Sequence, residues 1–194
     1  MSNLKVQGNA SGAGTTTLQS PNTSNSATIT LPDPTSADTL VALGVAQTFT
    51  GTQTFAGTSS AIAMVLNDLA ETATISATAA TGTINYDITT QSVLYYTSNA
   101  SANWTVNFRA SSGTSLNTAM STGQTMTVAF LVTQGSTAYY NSAVQVDGSS
   151  VTPKWQNGTA PTSGNASSVD VYVYSIVKTG SAAFTIFASQ TKFA

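Results

Sequence analysis

The run VDVYVYSIVK, residues 169–178, is the most strand-like part of the chain. Its valines alternate with larger or polar side chains, which are Asp170, Tyr172, Tyr174 and Ile176. Because a period of two places alternate side chains on opposite faces of a strand, the run predicts one strand of a sheet. Asp170 begins this strand, and we expect its carboxylate to face solvent.

Shorter runs of the same kind occur on both sides of this strand. They are TATISATA (72–79), TINYDIT (83–89), VLYYT (93–97), NWTVNFR (103–109), QTMTVAFLV (124–132) and AFTIFAS (183–189). Asp147-Gly148 is the strongest hairpin signal, and residues 115–120 could form one helical turn. About eight to ten short strands with turn signals between them predict an all-β fold. We therefore predict an antiparallel, jelly-roll-like β-sandwich as the C-terminal head domain, residues 58–194.

A different pattern precedes the predicted sandwich. Residues 44–57 read GVAQTFTGTQTFAG, in which TFTG returns six positions later as TFAG. Phe49 and Phe55 are the large apolar residues of this stretch, and one chain offers them few apolar neighbours. Three parallel copies could bury both rings at a common axis. The alternative is a single strand of a monomeric domain, since alternating Thr and Phe would give the same pattern.

The segment before the repeat resembles a short helix. Residues 36–43 read SADTLVAL and are followed by glycine, which suits a two-turn helix that is too short to be stable alone. We predict a trimeric stalk over residues 36–57, with Leu40, Leu43, Phe49 and Phe55 directed towards the axis. Residues 1–35 contain too little apolar surface to order themselves as a free monomer. They are predicted to be an extended anchoring segment.

The composition excludes several classes of function. The chain of 194 residues has five Lys or Arg, seven Asp or Glu, no His and no Cys. Without a basic run there is no surface to neutralise nucleic-acid phosphates. No apolar run is long enough for a membrane-spanning helix, and the N-terminus lacks the apolar core of a signal peptide. We expect synthesis in a cytoplasm and neither nucleic-acid binding nor membrane insertion.

No constellation in the sequence indicates catalysis. The absence of His and Cys removes imidazole and thiol chemistry, and we predict no catalytic, cofactor-binding or metal-binding residues. Asp68 and Glu71 are close in sequence but lie in a predicted turn. Binding is harder to dismiss, because tyrosines and tryptophans offer flat faces on which sugars stack. Tyr139, Tyr140 and Trp155 are the candidate receptor contacts. The alternative for them, and for Tyr172 and Tyr174, is a place in the core or at a subunit interface.

Two stretches resemble a known class of protein. VTPKWQNGTAPTSGNASSVDVYVYSIVKT (151–179), with the ending FASQTKFA (187–194), is similar to the C-terminal domains of fibre-like structural proteins of tailed bacteriophages, especially those of aquatic bacteria. DTLVALGVAQTFTGTQTF (38–55) resembles the shaft segments that precede such domains. The resemblance implies a homotrimeric virion protein with an N-terminal virion anchor, and it transfers no catalytic residues.

These expectations combine into one hypothesis about function, with two alternatives. The chain is expected to be a non-enzymatic short fibre of a phage virion, at the tail, neck or head. Its N-terminal residues 1–35 would dock on another virion protein, and its head would bind host-surface glycan. One alternative is a capsid-surface or neck decoration protein that binds no receptor. The other is a stand-alone carbohydrate-binding module, which would be a monomer.

Overall fold

The computed structural model describes residues 49, 52–55, 57, 62, 64–67 and 69–194. The chain divides into two compact units, Met1–Ala63 and Met64–Ala194. The predicted anchor (1–35), the predicted helix (36–43) and the side chains of Leu40 and Leu43 lie outside the described residues. The domain boundary after residue 57 therefore stays a prediction.

The second unit contains ten strands, one α-helical turn and one 3-10 turn among its described residues. In chain order they are β1 (Thr74–Ala79), β2 (Gly82–Asp87), β3 (Val93–Ser98), β4 (Trp104–Arg109), α1 (Leu116–Ala119), β5 (Thr125–Thr133), β6 (Asn141–Val146), β7 (Ser149–Val151), β8 (Lys154–Trp155), the 3-10 turn (Gln156–Gly158), β9 (Val169–Gly180) and β10 (Ala183–Phe193). The prediction of an all-β fold is confirmed.

The strands form two mixed sheets. The larger sheet has the order β1-β3-β5-β9-β10-β8, and the smaller sheet has the order β2-β4-β6-β7. The first six strands alternate between the sheets, so that each strand is followed by one in the other sheet. Strands that are two apart in sequence are thus neighbours in one sheet and run parallel, as Gly82↔Trp104 in β2 and β4 and Thr74↔Leu94 in β1 and β3 show.

The prediction of an antiparallel arrangement is wrong for most of the described pairings. Five of the eight strand pairs are parallel and three are antiparallel. The physical reason lies in the connections. Parallel neighbours need a long crossover, and here a strand of the opposite sheet provides it. Ala80 and Thr81, which join β1 to β2, span roughly the 10 Å between stacked sheets. A jelly-roll topology is not confirmed by these pairings.

Aromatic side chains from both sheets form the core. Trp104 on β4 packs edge-on against Tyr172 on β9, with ring centroids 5.6 Å apart. Phe108 packs against Tyr174 at 5.0 Å, again across the two sheets. The alternation of NWTVNFR (103–109) places Trp104, Val106 and Phe108 on the inner face of β4, where each is at most 1% exposed. Geometries of this kind are the favoured ones for aromatic pairs in protein interiors.

The predicted β-hairpin and helical turn are both present. Asp147 (φ 51°) and Gly148 (φ 80°) have the two positive φ angles of a type I′ turn and join β6 to the antiparallel strand β7. Helix α1 begins after Ser115, whose side chain accepts a hydrogen bond from Thr118 N. Among the described residues there is no helix long and apolar enough to cross a membrane.

Asp170 is placed differently from the prediction. Its side chain does not face solvent but is fully buried, on the same side of β9 as Tyr172, Tyr174 and Ile176. The predicted alternation of β9 is therefore confirmed. The face that carries the aspartate and the tyrosines is the one that packs against the core. The valines take the outer face.

Candidate functional site

Trp155 lies on the shortest strand of the larger sheet. Strand β8 pairs with β10 at the sheet edge, where Trp155 is opposite Ala188. The indole packs against the ring of Tyr174 with centroids 6.2 Å apart and remains partly exposed. Pro153 precedes the strand and the 3-10 turn follows it, so the backbone turns away after two residues. Trp155 is thus fixed on its core side and open on the other.

A small cleft of about 130 Å³ adjoins this indole. Its wall consists of one aromatic residue, one proline and side chains with neutral hydrogen-bonding groups: Trp155, Gln156, Asn157, Thr159, Pro161, Ser189 and Gln190. No residue of this lining carries a charge. Amide and hydroxyl groups both donate and accept hydrogen bonds, so the cleft suits a neutral ligand with many hydroxyls.

A second, more apolar cleft of about 290 Å³ also adjoins Trp155. Val173, Phe187 and Ala188 contribute apolar surface to it, and Lys154 contributes the one charge of the lining. The Lys154 Nζ lies 5.9 Å from the centroid of the Phe187 ring, within the range of a cation–π contact. The two clefts share the indole, Gln156 and Ser189.

The buried carboxylate of Asp170 holds the loop beside the cleft. Asp170 Oδ2 accepts hydrogen bonds from Gln134 Nε2 (3.0 Å) and from the backbone N of Asn165 (3.1 Å). Gln190 Nε2 donates to Tyr172 Oη (2.9 Å) and to the carbonyl of Ser163 (3.1 Å). Burial raises the pKa of Asp170, and these hydrogen bonds partly oppose that effect. The C-terminal part of the loop 156–168 is therefore held against β9 and β10.

Gly164 allows the closest approach in this network. A Cβ at this position would come within 2.6 Å of Asp170 Oδ2 and closer still to the carbonyl oxygen of Tyr139. Both distances are shorter than real Cβ atoms show. The glycine is thus required for space, since any side chain would push the loop away from β9.

Tyr139 and Tyr140, the other two candidate receptor contacts, do not form the wall of this cleft. Tyr139 is partly buried against the core, and its backbone N donates to Gln134 Oε1 at 2.9 Å. Tyr140 is partly buried, and its backbone N donates to Asn103 Oδ1 at 3.1 Å. Tyr139 connects to the Trp155 cleft through the network of Gln134, Asp170 and Gln190. Tyr172 and Tyr174 belong to the core.

A third cleft, polar and about 410 Å³ in volume, opens at one end of the smaller sheet. Arg109 and Asp147 line it together with several serines and Thr114. Both charges already have partners. Arg109 pairs with the carboxylate of Asp87, and Asp147 accepts from the backbone N atoms of Leu116 (2.7 Å) and Asn117 (2.9 Å) at the start of α1. In the described residues no group of three or more His, Cys, Asp or Glu side chains could hold a metal ion.

The two phenylalanines of the predicted stalk are described and exposed. Phe49 is 56% exposed and Phe55 is 58% exposed within a single chain. Both values are high for large apolar side chains. Whether these rings meet at an axis stays a prediction.

Sequence reasoning found Trp155 but missed its neighbours. Ser189 and Gln190 lie some 35 positions later in the chain, and only the parallel pairing of β8 with β10 brings them beside the indole. The one sequence feature that pointed to this site was the position of Trp155 directly before the loop 156–168. Comparison of the chain with known protein families, with curated proteins and with solved structures finds no match to any of them.

Proposed function

We propose that this chain is a non-enzymatic structural protein of a phage virion, a homotrimeric short fibre whose head binds neutral glycan at the Trp155 cleft. Residues 1–35 would dock on another virion protein, and residues 36–57 would form the trimeric stalk. The resemblance of the sequence to phage fibre proteins supports the class of protein. The chemistry of the cleft supports the class of ligand.

The cleft beside Trp155 is the observation that carries the glycan assignment. A sugar ring presents C–H groups on its faces and hydroxyls around its edge. The indole offers a flat apolar surface, and Gln156 and Asn157 offer amides at the side of it, whereas the amide N of Gln190 already donates within the protein. Because the lining contains no acid or base, it has no group for glycosidic bond cleavage, which uses paired carboxylates. The site suits binding and not hydrolysis.

The exposed phenylalanines support the trimeric stalk. Each ring would bury about half of its surface at an axis, and burial of apolar surface stabilises by about 25 cal/mol per Å². Three chains that each contribute Phe49 and Phe55 would bury six rings in two layers. A trimer would also present three copies of a weak glycan site, and such multivalency can raise overall avidity by about 10²–10⁴.

Binding of the full chain to host-type cells and to immobilised neutral glycans tests the proposal. We expect Trp155→Ala to weaken binding by at least about tenfold, because it removes the stacking surface. Since this indole also contacts Tyr174, Trp155→Phe and Thr159→Arg are measured as well. Trp155→Phe should retain part of the binding, and Thr159→Arg, at an exposed position of the lining, should obstruct the cleft without opening the core. Thr105→Arg, on the outer side of β4, is the control and should bind normally.

Three results would contradict parts of the proposal. Unchanged binding in both Trp155→Ala and Thr159→Arg would overturn the glycan site. A trimer that binds no glycan would favour a capsid-surface or neck decoration protein. A monomer that binds glycan would favour a stand-alone carbohydrate-binding module.

A further inference from the structure

The two sheets have outer faces of opposite character. On the smaller sheet the register aligns Asn85, Asn107 and Gln145 in one row and Asp87 with Arg109 in the next. Asn107 Nδ2 donates to Asn85 Oδ1 at 2.8 Å, and Arg109 pairs with Asp87. The outer face of this sheet is therefore covered with polar groups that bind one another and water.

The outer face of the larger sheet is apolar. The register aligns Ile75, Tyr95, Leu131 and Val171 in one row across β1, β3, β5 and β9. The adjacent row contains Val93, Ala129 and Val173, and Phe187 and Phe193 extend the face onto β10. All of these side chains are partly or largely exposed in a single chain, including Ile75 (69%), Phe193 (54%) and Phe187 (49%).

Charge is nearly absent from this apolar face. The other strand residues that share it are Val, Ser, Thr and Ala, and Lys154 on the edge strand β8 is the one charged strand residue of the face. The cations and acids of β9 and β10, which are Asp170, Lys178 and Lys192, alternate to the opposite side. A partner for this face must itself be uncharged, because an unpaired charge would lose its hydration there.

The size of the apolar face matches that of a specific interface. Six strands at a spacing of about 4.8 Å are roughly 24 Å wide, and the strands other than the two-residue β8 are roughly 20–40 Å long. The footprint of the whole face, with its Ser, Thr and Ala included, is thus roughly 700 Å². It approaches the area of about 800 Å² that each partner contributes to a standard interface.

We propose that the outer face of the larger sheet is the contact between head domains, and that its partner is a second copy of this chain. The proposal rests on the homotrimer proposed above and identifies the surface that assembles it. Three heads around a three-fold axis can each turn the same face inward, so that an uncharged surface meets an uncharged surface. The polar face of the smaller sheet then forms the outside, and the Trp155 cleft lies at the sheet edge, where it reaches solvent.

Thiol labelling of the assembled full chain tests this contact directly. The natural sequence has no cysteine, so a single introduced thiol reports one position. Val171→Cys places the thiol on the apolar face in β9, and Thr105→Cys places a matched thiol on the polar face in β4. Both parent residues lie in interior strands and are partly exposed in a single chain. We expect the Val171→Cys thiol to react with a maleimide at least about tenfold more slowly than the Thr105→Cys thiol.

Light scattering on the same samples separates this contact from the trimer itself. A trimer in which only the Val171→Cys thiol is protected supports the proposal. A trimer in which both thiols react at similar rates overturns the head contact while the homotrimer stands. A monomer overturns both, whether the thiol is protected or not, because no second copy then covers the face. Equal melting temperatures of the two variants confirm that both are folded.

Discussion

Asp170 is the residue whose carboxylate holds the loop beside the Trp155 cleft. Its Oδ2 atom accepts from Gln134 and Asn165, and its Oδ1 atom accepts no hydrogen bond within the described part of the chain. Nothing in the alternation of residues 169–178 distinguishes an inward aspartate from an outward one. Only the packing of Tyr172 and Tyr174 against the smaller sheet decides it. The predicted solvent exposure of Asp170 therefore failed for a reason that lies in tertiary structure.

Protonation of Asp170 should make the stability of the protein depend on pH. Because burial raises the pKa of this carboxyl in the folded state, the folded chain binds the proton more tightly than the unfolded chain. Its contribution to stability is greatest below the unfolded pKa of about 3.9 and is lost as pH rises through the folded pKa. Urea unfolding at pH 4 and pH 7 should show that the wild type loses stability relative to Asp170→Asn. A difference that is the same at both pH values would contradict this account.

The close packing around Gly164 predicts that a side chain at this position destabilises the protein. Gly164→Ala should destabilise the protein by about 1–3 kcal/mol, since its Cβ would overlap the carbonyl of Tyr139 and the carboxylate of Asp170. Gly113→Ala is a matched control, because a Cβ there meets no atom within 4 Å. The control should change the free energy of unfolding by no more than about 0.5 kcal/mol. Equal effects in urea unfolding would show that the close approach at Gly164 is not a constraint.

The β6–β7 hairpin shows how one element stabilises another. The sequence identified Asp147 only as a residue of the hairpin turn. Its carboxylate also accepts hydrogen bonds from two backbone N atoms at the start of α1. Asp147→Gly should keep the turn, because glycine adopts positive φ freely, and should lose the cap at a cost of about 0.5–2 kcal/mol. Asp147→Asn retains one acceptor and should lose less. If the two variants unfold at the same urea concentration, the cap contributes nothing.

The sequence predicted which segments form strands and turns better than it predicted whether neighbouring strands run parallel or antiparallel. Alternation located β4 and its inward Trp104, Val106 and Phe108, and the Asp-Gly pair located the hairpin. Strand direction depends on whether a short connection turns back in its own sheet or crosses to the other. Ala80 and Thr81 carry no signal that separates these outcomes. For the same reason the sequence did not predict that β8 and β10 bring Ser189 and Gln190 beside Trp155.

At the scale of the whole molecule, three apolar features call for a common explanation. Phe49 and Phe55 are exposed in a single chain, and the outer face of the larger sheet is exposed as well. A protein with only 6% charged residues has few groups with which to keep such surfaces apart in water. The proposed association of three copies would cover both the phenylalanines and the sheet face, and it would leave the polar face of the smaller sheet outside.

The solution mass of the full chain, measured by multi-angle light scattering, tests the homotrimer most directly. The chain mass is 19.8 kDa, so the trimer predicts a mass of about 59 kDa that stays constant over a range of micromolar concentrations. A constant mass of 19.8 kDa would contradict the trimeric fibre and the head contact together.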